Sequence, residues 1–164
     1  MEHLEIERKY LIRMPDAALL DSLPRSEIEQ TYILSPEGAK ERVRRRVYAD
    51  RTEYTHTAKT RVSVLTRIER EEEIDEGLYR ELLLRADPSR RSLRKTRYIY
   101  EYSGEPYEID VFPFWDDRAL MELELHDVED APPLPQGIEI IREVTSDSRY
   151  TNSAIAREIP REQI

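Results

Sequence analysis

Strand after strand in this 164-residue sequence places charged side chains at every second position, and most of those charged faces carry one sign. Successive side chains of a strand point to opposite faces, so a period of two sorts residues into an apolar face and an ionic one. Glu5, Glu7 and Lys9 share a side near the start, with Leu4 and Ile6 opposite. Arg42, Arg44 and Arg46 share the next ionic face, backed by Val43 and Val47, and Thr55, Thr57 and Lys59 the one after. Acidic faces follow at Glu69/Glu71/Glu73, Glu108/Asp110 and Glu122/Glu124, with a basic one at Lys95/Arg97.

Any one of these strands fits a sheet with its charged face in water. A solvated sheet would mix signs along each strand, however, and this chain separates them by strand. If the strands close into a barrel with charged faces inward, a basic zone faces an acidic zone. Unpaired charges there would cost several kcal/mol each, so water, counter-ions or a ligand must fill the centre. A polyphosphate with Mg²⁺ or Mn²⁺ suits both zones, because Arg and Lys match its oxygens and carboxylates match the hard cation.

The remaining pattern predicts strands at 5–12, 27–34, 41–49, 53–59, 66–74, 93–102, 106–112 and 118–128, with a last candidate at 138–144. Helices are expected at 16–23 behind Pro15, at 76–86 capped by Asp75 with a Leu78/Leu82/Ala86 stripe, and at 153–158. Turns are expected at 35–38 and at Ser103-Gly104, and a surface loop at 131–137. Roughly eight strands with two or three helices predict an antiparallel α+β fold, compatible with a closed barrel, in one domain over 1–164.

Composition excludes several classes. Cysteine is absent, which removes disulfides, thiolate metal sites and a thiol nucleophile, and suits a reducing cytoplasm. No apolar run approaches the roughly 18 residues of a membrane span, and the acidic start is unlike a signal peptide. The net charge of −9 argues against a nucleic-acid partner. Four of the 26 basic residues are lysines, and three of these (Lys9, Lys59, Lys95) fall in the ionic faces, where a compact ammonium is wanted.

Glu5-x-Glu7-x-Lys9 resembles the E-x-E-x-K signature of the triphosphate tunnel metalloenzymes, the CYTH superfamily. In that family's order, Arg42-Val43-Arg44 resembles its R-x-R strand, Lys59 its single-lysine strand, and Glu69-x-Glu71-x-Glu73 its mid-chain acidic strand. Lys95-Thr96-Arg97-Tyr98, Glu108-Ile109-Asp110 and Glu122-Leu123-Glu124 resemble its later basic, acidic and E-x-E strands, and 143–156 its closing element in small bacterial members. Arg45, Arg46 and Thr60, where a glycine is common, depart from the pattern and blur the substrate.

The resemblance implies a closed eight-stranded antiparallel β-barrel, a tunnel with flanking helices, that hydrolyses a small-molecule triphosphate, inorganic tripolyphosphate first, with a divalent metal. It implies phosphate contacts from Lys9, Arg42, Arg44, Lys59, Lys95 and Arg97, and metal contacts from Glu5, Glu7, Asp110, Glu122 and Glu124. Lys95, Glu5 and Glu7 would carry the catalysis, while Glu69, Glu71 and Glu73 order water or pair with arginines. The rivals are a class IV adenylyl cyclase, a thiamine triphosphatase, a polyphosphate-binding module without turnover and, against the net charge, an RNA 5′-triphosphatase. Trp115 reads as a packing residue, His126 as a surface residue with the alternative of a metal ligand, and His3 and His56 belong to no constellation. Tyr98, Tyr100 and Tyr102 read as outer packing under a helix or at a homodimer contact.

Overall fold

The computed structural model describes residues 2–35 and 40–164, so part of the turn expected at 35–38 lies outside the described residues. Within them the chain forms β1 (Glu2–Arg13), α1 (Ala17–Asp21), β2 (Arg25–Ile33), β3 (Lys40–Val47), β4 (Thr52–Arg61) and β5 (Thr66–Ile74). It continues through α2 (Glu76–Leu83), β6 (Leu93–Tyr102), β7 (Glu105–Val111), β8 (Arg118–Glu124), β9 (Ile140–Glu143), a 3₁₀ turn (Ser148–Tyr150) and α3 (Asn152–Arg157).

The strands pair antiparallel in the order β5-β4-β3-β2-β6-β7-β8-β1, and β1 meets β5 again to close an eight-stranded barrel. Closure depends on how β1 divides its edges. Residues 7–13 pair with β8 on one edge, while residues 2–6 pair with β5 on the other. Beyond Lys9 that second edge passes to β9, and the Lys9 N–H donates to Thr145 Oγ1 at 3.0 Å. Turn chemistry fixes the rest. Ser103 (φ 53°) and Gly104 (φ 79°) both lie in the left-handed region, the backbone of a two-residue hairpin turn, and they set Tyr102 opposite Glu105.

Helix α1 is shorter than the expected 16–23, because Pro24 disfavours helical backbone at Leu23. Helix α2 begins as expected, with the Asp75 carboxylate accepting from Leu78 N at 2.7 Å. Of its predicted stripe only Leu82 packs inward. Leu78 is exposed and the helix stops at Leu83, while Tyr79, Leu82 and Leu83 pack on Ile33, Val43 and Ile74. That i, i+3, i+4 arc faces the sheet because α2 lies over the outside of β2 to β5.

Apolar residues fill three places, none of them the barrel's centre. Met121, Ile109, Tyr107 and Tyr98 cover the outer face of β6 to β8 beside Leu20 of α1. The Tyr98/Tyr100/Tyr102 stripe belongs to this layer, where Tyr100 Oη donates to the Gln136 carbonyl at 2.9 Å. At one end of the barrel, Leu11, Leu93, Phe112 and Leu120 turn inward and meet Tyr150, Ile155 and Ile159 of the C-terminal segment. Trp115 packs here as expected, its Nε1 donating to the Pro160 carbonyl at 3.0 Å. Among the described residues no helix is long and apolar enough to cross a membrane.

Candidate functional site

The inner face of the barrel between these apolar layers is ionic, built from the alternate positions that the sequence marks. Strand register turns the alternation into opposed pairs: Lys9 faces Glu122 across β1 and β8, and Lys59 faces Glu69 across β4 and β5. Lys9 Nζ lies 3.0 Å from Glu122 and donates to the Tyr150 carbonyl at 3.1 Å. Lys59 Nζ reaches Glu5 at 3.0 Å and Glu69 at 3.7 Å, and Arg67 Nη1 reaches Glu7 at 3.4 Å.

A second knot lies in the β6–β7 hairpin. Arg97 grips both oxygens of Asp110, at 2.8 and 2.9 Å, and donates to Glu108 at 2.9 Å. Lys95 Nζ sits 2.7 Å from the same Asp110 carboxylate. Burial alone would raise the Asp110 carboxyl, but Arg97 and then Lys95 outweigh it and hold it well below the usual range. Burial also pushes the Lys95 ammonium down to about 8, against the pull of Asp110.

Charge is unevenly compensated elsewhere. Arg42 is half-buried with no carboxylate in ion-pair range among the described residues, and its Nε, like that of Arg44, has no hydrogen-bond acceptor. Burial, then the neighbouring Arg42 and Arg97, lowers the Arg44 guanidinium to about 10; Glu71 stands 3.8 Å away. The β1 side carries the opposite excess. Burial, then the Glu122 charge, raises the Glu7 carboxyl to about 7, and burial followed by Glu69 raises Glu5. Cations therefore crowd one flank and carboxylates the other, and the ion pairs between them leave both incompletely compensated.

Between them opens a cavity of about 300 Å³. Its cations are Lys9, Lys40, Arg42, Lys59, Arg61 and Arg67, with Glu7, Tyr32, Thr57 and Ser153 also on the wall. Of the predicted phosphate contacts, Lys9, Arg42 and Lys59 line this cavity together. Arg44, Lys95 and Arg97 do not line it; the last two belong to the Asp110 knot. Glu5 and Glu122 are held by Lys59 and Lys9, while Glu124 is exposed at the end of β8, opposite Glu7 in the ladder. Glu69 and Glu71 turn inward, whereas Glu73 is exposed.

Among the described residues no three His, Asp or Glu side chains converge to hold a metal ion unaided. The donors still fit Mg²⁺ or Mn²⁺, since such ions take one or two protein carboxylates and draw the rest from water and phosphate. Glu7, whose ionisation is disfavoured by burial and by Glu122, is the carboxylate that a nearby cation would relieve most.

Sequence reasoning passed over Lys40, Arg61 and Arg67. Each stands two residues from a marked position (Arg42, Lys59 and Glu69), so extending the same alternation finds them. Thr151 and Ser153 arrive from the C-terminal segment and carry no such signal. His126 is exposed, as expected of a surface residue. His56, read as isolated, instead lies on the outer face with Nε2 3.0 Å from Glu41 and Nδ1 3.4 Å from Glu72, because β3, β4 and β5 pair side by side.

No family model matches the chain. It is 33% identical over 158 residues to an inorganic triphosphatase of Nitrosomonas europaea, covering 95% of this chain and 99% of that one. The crystal structure of an inorganic triphosphatase aligns with a TM-score of 0.59 at 33% identity, over 95% of this chain and 96% of that chain. A putative adenylyl cyclase from Hippeastrum, described as having a dominant triphosphatase activity, aligns with a TM-score of 0.50 at 18% identity, over 74% of this chain and 80% of that one. At that identity the likeness bears on the fold alone.

Proposed function

The chain belongs to the triphosphate tunnel metalloenzyme (CYTH) superfamily, and from that premise we propose that it is a divalent-metal-dependent inorganic triphosphatase, cleaving tripolyphosphate to diphosphate and phosphate. The observation that carries this reading is the imbalance inside the barrel. Six cations line the cavity, three of them (Lys40, Arg42 and Arg61) with no carboxylate in ion-pair range among the described residues, and carboxylates reluctant to ionise stand at its β1 side. A triphosphate with its cation answers both at once.

In this reading Arg42 and Lys59 hold the phosphate oxygens, Arg44 adds its charge from behind the cavity wall, and Lys9 closes the cradle. Lys40 and Arg67, which the pattern did not include, add to it from the cavity wall. Phosphoryl transfer asks little covalent chemistry of the protein, so positioning and charge neutralisation supply most of the rate. Mg²⁺ or Mn²⁺ held by Glu5 and Glu7, with Glu122 and Glu124 beside them, would neutralise phosphate charge and acidify a water. As the attacking water's oxygen bonds to the terminal phosphorus, its proton passes to the solvent that fills the tunnel. The bridging P–O bond breaks, and diphosphate leaves with the charge of Lys95 stabilising it. Asp110 serves chiefly to fix Lys95 and Arg97. The absence of cysteine supports a cytoplasmic setting.

The test is phosphate release from tripolyphosphate, ATP, GTP, thiamine triphosphate and diphosphate, each with Mg²⁺ and with Mn²⁺. Tripolyphosphate should be turned over fastest, and only with metal. Cyclic AMP accumulating from ATP would make the chain a cyclase instead, and binding of tripolyphosphate without release would make it a binding module.

A further inference from the structure

Three of the chain's four lysines are engaged in ion pairs inside the barrel. Lys9 lies 3.0 Å from Glu122, Lys59 3.0 Å from Glu5 and Lys95 2.7 Å from Asp110, and Lys9 and Lys95 are buried as well. Lys40 differs on both counts. It opens β3, is exposed, and has no carboxylate in ion-pair range among the described residues. It stands on the cavity wall with Arg42, Arg61 and Arg67, opposite Lys59 in the β3–β4 ladder. Its Nζ donates to Ser153 Oγ at 2.8 Å, which holds the end of the side chain at the cavity mouth.

Such a lysine has two properties that reinforce each other. Burial of its head group, then the charges of Arg90, Arg61, Arg67 and Arg157, lowers the Lys40 ammonium, so more of it is free amine at neutral pH than in an ordinary lysine. The free amine is a nucleophile. The same cations that discourage its proton attract an anion bearing terminal phosphate oxygens. A phosphate-linked electrophile is therefore gathered beside an activated amine. The Lys95 ammonium is lowered too, but that side chain is buried against Asp110 and does not line the cavity.

We propose that Lys40 is a modification site, acylated by acyl phosphates (mixed anhydrides of a carboxylic acid and phosphate), and that its acylation weakens triphosphate binding. The site itself follows from the exposed amine and the cations around it; the effect on binding rests on the triphosphatase reading of the tunnel. The phosphoryl group of the donor sits among Arg42, Arg61 and Arg67, which brings its acyl carbon to the Lys40 nitrogen. The N–C bond forms, the C–O bond to phosphate breaks, phosphate leaves with the electron pair, and the nitrogen's proton passes to water. A neutral amide then replaces one of the six cations on the cavity wall. Attraction for a triphosphate falls accordingly, while the metal-binding side of the tunnel is untouched.

Acetyl phosphate is the probe, with the uncharged N-hydroxysuccinimide ester of acetic acid beside it, and mass spectrometry of the digested protein follows acetylation at each of the four lysines. With acetyl phosphate and no metal, Lys40 should react roughly tenfold or more faster than Lys59, its ion-paired neighbour in the same cavity. Added tripolyphosphate should slow that reaction several-fold by occupying the cations. Arg61→Gln should slow acetyl phosphate several-fold at Lys40 and the uncharged ester by at most about twofold, since only the former needs a seat for phosphate. Equal rates at Lys40 and Lys59, or no protection by tripolyphosphate, would overturn the site. For the effect on binding, phosphate release with Mg²⁺ is measured before and after treatment. Acetylated wild type should show KM for tripolyphosphate raised about threefold or more with kcat within about twofold, and Lys40→Arg should show no change of KM on treatment. An unmoved KM in acetylated wild type, or an equal rise in treated Lys40→Arg, would overturn the effect. If untreated wild type releases no phosphate from tripolyphosphate, the triphosphatase reading fails separately, and the acetylation rates still decide the site.

Discussion

Glu7 carries a carboxyl raised from 4.5 to about 7 in the fold, so the folded chain retains a proton there that the unfolded chain releases. A carboxyl raised in this way stabilises the fold below pH 4.5 and loses that contribution as pH climbs through 7. The shift corresponds to roughly 3 kcal/mol. Denaturant melts of metal-free protein should therefore show stability falling between pH 5 and 8, flattened in Glu7→Gln and opposed by added Mg²⁺. A slope unchanged in Glu7→Gln would acquit that carboxyl. Lys95 titrates from the other side: with its ammonium near 8, kcat/KM should decline above that pH as the charge is lost. Lys95→Ala should lower kcat by about 10²–10³, the usual worth of one electrostatic stabiliser, and a change confined to KM would make Lys95 a uniform binder. Asp110→Asn strands Arg97 and Lys95 without their shared counter-charge, and urea unfolding should register a loss of about 3–5 kcal/mol.

At the scale of elements, the strands were legible because alternation is a local signal and a closed barrel repeats it. The same signal stopped short at Lys40, Arg61 and Arg67, which continue marked faces beyond the motif positions. The Arg97–Asp110 grip was also within reach of the sequence, since a two-residue turn at Ser103-Gly104 sets those residues opposite one another. What could not be read is contact made by residues far apart without a turn between them. Tyr150 accepting from Lys9 and Ser153 at the cavity mouth both depend on the C-terminal segment folding back onto the barrel. Helix α2 misled for a similar reason: two arcs were apolar, and the sheet beneath chose Tyr79/Leu82/Leu83. The C-terminal segment is the element to test. Ile155 is fully buried among Leu11, Phe112 and Trp115, so Ile155→Ala should cost about 2–5 kcal/mol, with Trp115 emission reporting the loosened end.

The whole molecule opposes a net charge of −9 to a basic mouth. A polyanion meets repulsion over most of the surface and attraction at one opening, which makes association sensitive to ionic strength. Raising salt from low to about 0.15 M shortens the screening length to ~8 Å and should raise KM for tripolyphosphate while leaving kcat nearly constant. A KM indifferent to salt would count against an electrostatic funnel. Barrel closure also has a timetable. The strand made first, β1, needs β8 and β9, made nearly last, to satisfy its edges. A chain emerging from the ribosome must therefore carry an unzipped seam, with Leu11 and Ile12 uncovered, until more than a hundred further residues have been added. Such distant pairing slows the search for the native state and leaves the nascent chain open to misassociation. Moving the chain's ends by circular permutation, so that β8, β9 and β1 are synthesised in succession, would shorten that vulnerable interval without altering the finished tunnel.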